Sequence, residues 1–552
     1  MNQIKKYSAS LIICAALFPC AAAKGNKESQ PSKPQPQYKI WTRDAIAQIV
    51  DMQYDTAIKQ FEDYLEKEPN DCESLYGLAL AHSQKGNVNK AVEYVRQAVD
   101  AGLPFSRFLA GPRSLTKSLA DSSEFQQFSK KYAVEFLHGP MLGCVTDRSA
   151  KFWVRTANEV PVQILVSKSA KMDSPIESAV AKTNKDRDFT AVIAVEGLKP
   201  DTQYYYKLLV NGKQEPQQWS FRTFGIRDTK ARFEVGFGGG AGYAPENERM
   251  WNTIASHSLS AFLFLGDNVY IDHPTKPSVQ QYCYYRRQSR PEFRDFVAAN
   301  SIYAIWDDHD FADNDCIGGP DVNIPEWKRP VWRLYCDNWN NPYYGGGESQ
   351  PGCWFDFSIG DVDFIMLDGR YYRTGEETKS PSMLGPAQKQ WLLEKLKASK
   401  ATFKVLVSPV VWSFGAKGGI QITQRGTKPG STDTWEGYKQ QREEIFSFIE
   451  KNNIDGVVLL SADRHRSEAW KIERPNGYAL YEFESSKLTN EHTHRLMPGA
   501  LFGYNEKCSF GLLKFDTTIP DPQVTYQIIN IDNKVIHTLV LKKSQLTCKK
   551  GK

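Results

Sequence analysis

The chain has 552 residues, of which 41% are hydrophobic, 24% charged and 12% aromatic. These globular proportions exclude a mostly disordered, collagen-like or membrane-spanning chain, and the length exceeds what one hydrophobic core organises, so three or four domains of roughly 150 residues are expected. Lys plus Arg exceed Asp plus Glu by 69 − 64 = 5, without a long basic block, and no nucleic-acid-binding patch is expected.

At the N-terminus, Lys5 and Lys6 precede an apolar run from Ala9 to Ala23 that closes on three alanines. This is the layout of a cleaved signal peptide, assigned to residues 1–23. The run, about fifteen residues, falls short of the ~20 a spanning helix needs, and no later run is longer. The expectation is a secreted or periplasmic protein with no transmembrane span. Pro19 in front of Cys20 disfavours a lipid anchor there. Residues 24–37, rich in Lys, Ser, Gln and Pro, read as a flexible linker. The cysteines beyond the leader are Cys72, Cys144, Cys283, Cys316, Cys336, Cys353, Cys508 and Cys548. An even number in an exported chain permits disulfides, and no C-x-x-C pair points to structural zinc.

Helical periodicity begins after the linker. Ala57, Phe61 and Pro69 recur as Ala91, Val95 and Leu103-Pro104, a period of 91 − 57 = 34 residues, which is the tetratricopeptide spacing. Leu75, Leu78 and Ala79 fit the first-helix packing positions, Gly86 the turn and Ala98 the close contact of the second helix. Residues 38–135 are therefore expected to form a helical tetratricopeptide-like segment. Two repeats are fewer than a solenoid needs, so the segment should lean on its neighbour or on a protein partner.

From His138 the apolar period shortens to two. The runs 151–155, 162–166 and 191–195 are separated by Asn, Asp, Gly and Pro clusters, the pattern of a β-sandwich over 138–224. Leu198 to Tyr206 resembles the fibronectin type III tyrosine corner.

Residues 230–545 alternate apolar runs with helical stretches, as in a layered α/β domain. Five runs stop abruptly at Gly, Asp, His or Arg: 233–237 before Gly238-Gly239-Gly240, 261–265 before Gly266-Asp267, 303–306 before Asp307-Asp308-His309-Asp310, 364–367 before Asp368-Gly369-Arg370, and 457–460 before Ser461-Ala462-Asp463-Arg464-His465. Ligands bind at the carboxyl ends of strands in such sheets, so these endings should converge on one cleft. Asp267, Asp308 and Asp463 brought together would repel one another unless a cation neutralised them. Tyr270 and His465 could extend the donor set, the oxygens suiting Ca²⁺, Mg²⁺ or Mn²⁺ and Tyr with His suiting Fe³⁺. His309 beside Asp308 is placed to protonate a leaving oxygen.

The motifs Gly266-Asp267-Asn268-Val269-Tyr270, Trp306-Asp307-Asp308-His309-Asp310, Leu367 to Arg373, Leu384 to Leu392, Trp435-Glu436-Gly437-Tyr438 and Asp463-Arg464-His465 occur in an order that resembles the PhoD-like alkaline phosphatases of the metallophosphoesterase superfamily, over about Phe233 to Phe515. The resemblance implies a four-layer α/β catalytic domain, a β-sandwich flanked by helices, preceded by a small β-sandwich. It also implies an exported phosphoesterase that hydrolyses phosphate mono- or diesters through a metal-bound hydroxide. In that reading Asp267 bridges two metals, Tyr270 and His465 bind an iron-like ion, and Asp308 and Asp463 bind calcium-like ions. His309, with Asp308, serves catalysis. Gly240 stands where the family carries an iron-binding Cys, which leaves iron open and calcium favoured. The glycine run could instead offer backbone N–H groups to an anion.

Arg286 and Arg290, on or next to a basic helix, and Arg370 after a strand are candidates to bind the substrate phosphate. His492 and His494 beside Glu491 read as a spaced loop pair and not as ligands. Ser485-Ser486 lies outside a nucleophile elbow. The rival reading is a catalytically impaired scaffold that binds partners through its repeats and sandwich; a lipid, teichoic-acid or nucleotide diester substrate would keep the mechanism and change only the pocket.

Overall fold

The computed structural model describes residues 37–548 except 133, 376–377, 418–420, 424–425 and 429–432. The leader and nearly all of the linker, with Cys14 and Cys20, lie outside the described residues.

Helix α1 (Tyr38–Val50) opens the described chain and buries two faces. Ala45, Ile46 and Ile49 pack into the helical segment, while Lys39, Thr42 and Arg43, equally buried, turn toward the α/β region. The helices Tyr54–Leu65, Cys72–Gln84 and Val88–Asp100 follow, then three shorter ones ending at Ser129. Asp71 caps the helix Cys72–Gln84 by accepting from the Ser74 N–H at 2.8 Å, which satisfies an otherwise orphaned donor. Gly77 lets Phe61 approach so closely that a Cβ there would meet its ring at 2.2 Å. The helical segment is fastened to the helix Pro277–Gln288 by Arg107, whose guanidinium lies over the rings of Tyr76 and Tyr282 at 4.3 and 5.1 Å.

Between the helices and the α/β region, Phe136–Gly143, Ser149–Thr156 and Thr190–Glu196 form one sheet, and Pro161–Ser167, Gln203–Val210 and Trp219–Arg222 belong to another. Phe152 of the first sheet meets Tyr206 and Phe221 of the second at 4.6 and 5.6 Å between ring centres. The Tyr204 hydroxyl accepts from the Lys199 N–H at 2.9 Å, tying the strand Gln203–Val210 back to the turn before it.

The α/β region is built on two mixed sheets. One is six-stranded in the order Ser301–Ile305, Ala261–Leu265, Arg232–Gly238, Ser509–Asp516, Gln523–Asn530, Val535–Lys542; its first three strands are parallel and the rest antiparallel. The other is seven-stranded in the order Phe355–Ile359, Val362–Met366, Phe403–Val407, Val457–Ser461, Leu480–Ser485, Ser467–Ile472, Phe502–Tyr504, with the second to fifth strands parallel. Ala261–Leu265, Ser301–Ile305, Phe403–Val407 and Val457–Ser461 are buried at every position, as parallel strands covered on both faces must be. Aromatic rings join the sheets: Phe483 stacks on Tyr526 at 4.2 Å, and Phe403 meets Phe515 at 5.8 Å. None of the eight described cysteines is in a disulfide, and four of them, Cys144, Cys283, Cys353 and Cys508, are buried, acting as small apolar core residues. Among the described residues no helix is long and apolar enough to cross a membrane.

Candidate metal centre

The chain leaves the parallel strands sharply. Gly240, Gly266, Asp267, Tyr270, Asp463 and His465 all adopt left-handed backbone conformations, with φ between 44° and 106°. A run of non-glycine residues with positive φ just past strand ends costs on the order of 1–3 kcal/mol each and is tolerated where function requires it. The turns deliver Asp267, Tyr270, Asp308, His309, Asp463 and His465 to one cavity of about 400 Å³.

At its floor, Asp267, Asp308 and His309 each offer a ligand atom within 4.8 Å of the others. The Tyr270 hydroxyl donates to Asp267 Oδ2 at 2.8 Å and lies 2.9 Å from His465 Nε2, while His465 Nε2 is 3.8 Å from Asp267 Oδ2. Asn490 Nδ2 donates to the Tyr270 hydroxyl at 2.6 Å. Burial pushes the Asp267 carboxyl well above the usual range, and the nearby Asp308 and Asp307 push it further. Burial likewise raises the Tyr270 phenol, with the Asp267 charge adding to it. Burial, reinforced by Lys39, keeps His465 neutral. His309 behaves oppositely: despite burial, the charges of Asp308, Asp267 and Asp272 hold its imidazole protonated well above its ordinary range.

The donors fit a cation. Asp267 Oδ1, Asp463 Oδ2 and His465 Nδ1 are buried without a hydrogen-bond partner, and a buried carboxylate oxygen left so is costly unless something positive completes it. Asp308, Asp315 and Asp433 make a second close carboxylate group, but Asp433 is already compensated by Arg370, Arg373 and Lys417, which hold it well below its ordinary range against burial.

The three arginines offered as phosphate ligands do not line the cavity. Arg370 is fully buried, with its guanidinium paired to Asp307, to Asp433 at 2.6 Å and to Asp308 at 3.6 Å, so it braces the carboxylates. Arg286 donates to Thr42 Oγ1 of α1 at 2.6 Å and lies over the Tyr243 ring at 4.4 Å. Arg290 pairs with Glu292 at 3.0 Å. Neither lines the cavity. The glycine run is also unavailable to an anion: the N–H groups of Gly239, Gly240 and Ala241 donate to the carbonyls of Ser485, Gly266 and Asp267 at 3.0, 3.2 and 2.8 Å.

Several cavity residues escaped the sequence reading. Asp272 accepts from His309 Nδ1 and is itself held by Arg43 of α1. Lys39 of α1 donates to Asn490 Oδ1 at 2.5 Å. His492 and His494, set aside as a loop pair, lie with His465 close enough to share an ion. Asp272 carried a signal, being an acid two residues past Tyr270; Lys39 and Arg43 had none, because their role depends on how two distant regions dock.

Comparison with known proteins follows the same lines. Residues 236–501 match the family described as PhoD-like phosphatase, residues 133–223 a domain of unknown function, DUF7800, and residues 51–118 the family of anaphase-promoting complex, cyclosome, subunit 3, a tetratricopeptide-like match. Alkaline phosphatase D of Bacillus subtilis (strain 168) is 23% identical over 378 residues, covering 60% of this chain and 61% of that protein, so the chain spans about 61% of the length of this curated relative. The solved structure of PhoD superposes with a TM-score of 0.63 at 19% identity, over 76% of this chain and 92% of that one. The purple acid phosphatase PPD1 from yellow lupin (Lupinus luteus) seeds gives a TM-score of 0.54 at 11% identity, over 74% and 75%. Strand ends, cavity and family match coincide: the cavity's candidate ligands Asp267, Tyr270, Asp308, Asp463 and His465 all fall within residues 236–501, which match the PhoD-like phosphatase family.

Proposed function

We propose that this chain is an exported, metal-dependent phosphoesterase acting on phosphate mono- or diesters. The observation that carries the reading is the buried convergence of Asp267, Asp308 and His309 in a cavity where Asp267 Oδ1 and Asp463 Oδ2 lack partners. Asp267, Tyr270, Asp308, Asp463 and His465 would hold the metals, with calcium at the carboxylates and iron less well supported because strand Arg232–Gly238 runs into Gly239-Gly240 and offers no side-chain donor. Bound cations would neutralise the phosphoryl oxygens and lower the pKa of the attacking water.

The protein's own groups account for the rest. His309, stacked on the Tyr270 ring at 4.6 Å, is held through Nδ1 by Asp272, which fixes the ring and leaves Nε2 to carry the proton a leaving alkoxide needs. Arg370 keeps Asp308 and Asp433 charged and holds Asp307 in place. Lys39, Lys417 and Arg464 line the cavity and draw an anionic ester toward it. The two sheets of residues 230–545 with their helices are the four-layer arrangement of such a domain, and residues 138–224 the accompanying sandwich. The exposed surface of the helical segment is left for a protein partner.

The experiment is hydrolysis of p-nitrophenyl phosphate and bis-p-nitrophenyl phosphate by purified protein before and after exhaustive chelation, with elemental analysis of the protein as isolated. Chelation is expected to remove activity and Ca²⁺ to restore it. Full activity after complete metal removal would end the proposal.

A further inference from the structure

Past Asn490, the chain stacks His494 on the ring of His465 and sets His492 edge-on to it. Ring centres lie 5.1 Å apart for His465 and His492, 5.0 Å for His465 and His494, and 4.6 Å for His492 and His494. Each imidazole offers a nitrogen, all within 4.8 Å of one another.

The hydrogen bonds fix which nitrogens are free. His494 Nδ1 lies 3.0 Å from the carbonyl oxygen of Arg464. Only a protonated nitrogen can donate to a carbonyl, so the lone pair of His494 sits on Nε2. A carbonyl accepting from the far nitrogen is also how metal-binding histidines are commonly oriented. His494 Nε2 faces His492 Nε2 at 3.1 Å, so the ring proton of His492, or an ion in its place, lies between the two nitrogens. His465 is only 7% exposed and its Nδ1 has no partner. Two rings that meet nitrogen to nitrogen therefore stand beside a buried third ring with an unsatisfied nitrogen. Strand Arg232–Gly238 supplies no competing donor to this side of the cavity, since it runs out through Gly239 and Gly240.

We infer that His492 and His494 join His465 as nitrogen donors to one cation, and that this position takes a borderline divalent ion of the Zn²⁺, Co²⁺ or Ni²⁺ class in preference to Ca²⁺. Three imidazoles favour such ions, whereas carboxylates and carbonyls favour calcium. The inference rests on the reading of His465 as a metal ligand and adds to it the two loop residues and the class of ion.

The test is binding, so that its outcome is separate from hydrolysis. Metal-free full-length protein is titrated with Co²⁺, followed by visible absorption and calorimetry, for the parent, for His492→Gln with His494→Gln, and for Asp267→Asn. The parent is expected to bind Co²⁺ with the intense visible bands of a nitrogen-ligated ion, and the histidine double variant to bind it at least tenfold more weakly while its Ca²⁺ binding and metal-free melting temperature stay at the parent's values. Co²⁺ affinity and spectrum equal in parent and double variant, or no Co²⁺ binding by the parent, would overturn the inference. Nitrogen-type Co²⁺ binding in a protein that hydrolyses no phosphoester would uphold it while removing the phosphoesterase reading.

Discussion

The ammonium of Lys39 stands 3.8 Å from the centre of the Tyr270 ring, so a residue of the first helix touches a candidate ligand of the metal centre. One turn on, Arg43 binds Asp272, and Asp272 binds His309. Helix α1 is thus a wall of the cavity as well as a member of the helical segment. Burial lowers the Lys39 amine to about 8, a burial tolerated because Asp267, Asp272 and Glu491 lie near it.

Removing these side chains should affect different kinetic constants. Arg43→Ala frees Asp272 and with it the His309 ring, and is expected to lower kcat by about tenfold or more, the scale on which misplacing a proton donor acts. Lys39→Met removes a cation from the cavity wall and should raise KM with a smaller effect on kcat. Metal content by elemental analysis should match the parent in both. Parent-like kinetics in both variants would take α1 out of the site.

Asp267→Asn should separate stability from activity. Asp267 sits among Asp307, Asp308 and Asp310, whose charges all disfavour its own. Burial and these neighbours make the parent take up a proton at Asp267 on folding, a cost that a neutral amide does not carry, so the metal-free protein should melt at the same temperature as the parent or higher. Turnover should fall by roughly a thousandfold, as for loss of a group that stabilises transition-state charge. Calorimetry in chelator and hydrolysis with added Ca²⁺ check the two halves independently.

Arg370 offers a sharper discrimination between bracing and binding. Its guanidinium is fully buried against Asp307, Asp308 and Asp433, and removing one partner of a buried ion cluster leaves the others uncompensated at a cost of about 3–5 kcal/mol. Arg370→Lys should recover little of this, because an ammonium cannot reproduce the fork that reaches separate carboxylates. Urea unfolding of Arg370→Ala and Arg370→Lys measures the loss. A parent-like midpoint for Arg370→Lys accompanied by a raised KM would return Arg370 to the role of phosphate ligand.

What the sequence revealed and what it hid divide along a physical line. Asp267, Asp308 and His465 were legible because they lie two to four residues past the ends of strands buried at every position, and the carboxyl ends of parallel strands gather in one place whatever the loops do. The 34-residue spacing was legible because packing within a repeat is local. The true settings of Arg286 and Arg290 were not, since a run of basic residues on a helix looks solvated until another region covers it, here α1 and Tyr243. His492 and His494 were hidden for a related reason: a loop's donors acquire meaning only from where the loop folds back.

Gly240 provides the last prediction. Its φ is +64°, and a Cβ there would come within 2.2 Å of the Ser486 carbonyl oxygen, a backbone atom held in place because the Ser486 N–H donates to the Arg466 carbonyl at 2.9 Å. Gly240→Ala therefore meets both the left-handed penalty and a steric clash, together about 3 kcal/mol, and Gly240→Cys should fare no better. Urea unfolding of the alanine variant measures the cost directly. A loss below about 1 kcal/mol would mean that strand Leu480–Ser485 can yield at its end, and position 240 could then carry a metal-binding thiol. A full loss means that the backbone here has closed around glycine, and any further donor to the cavity must come from elsewhere in the fold.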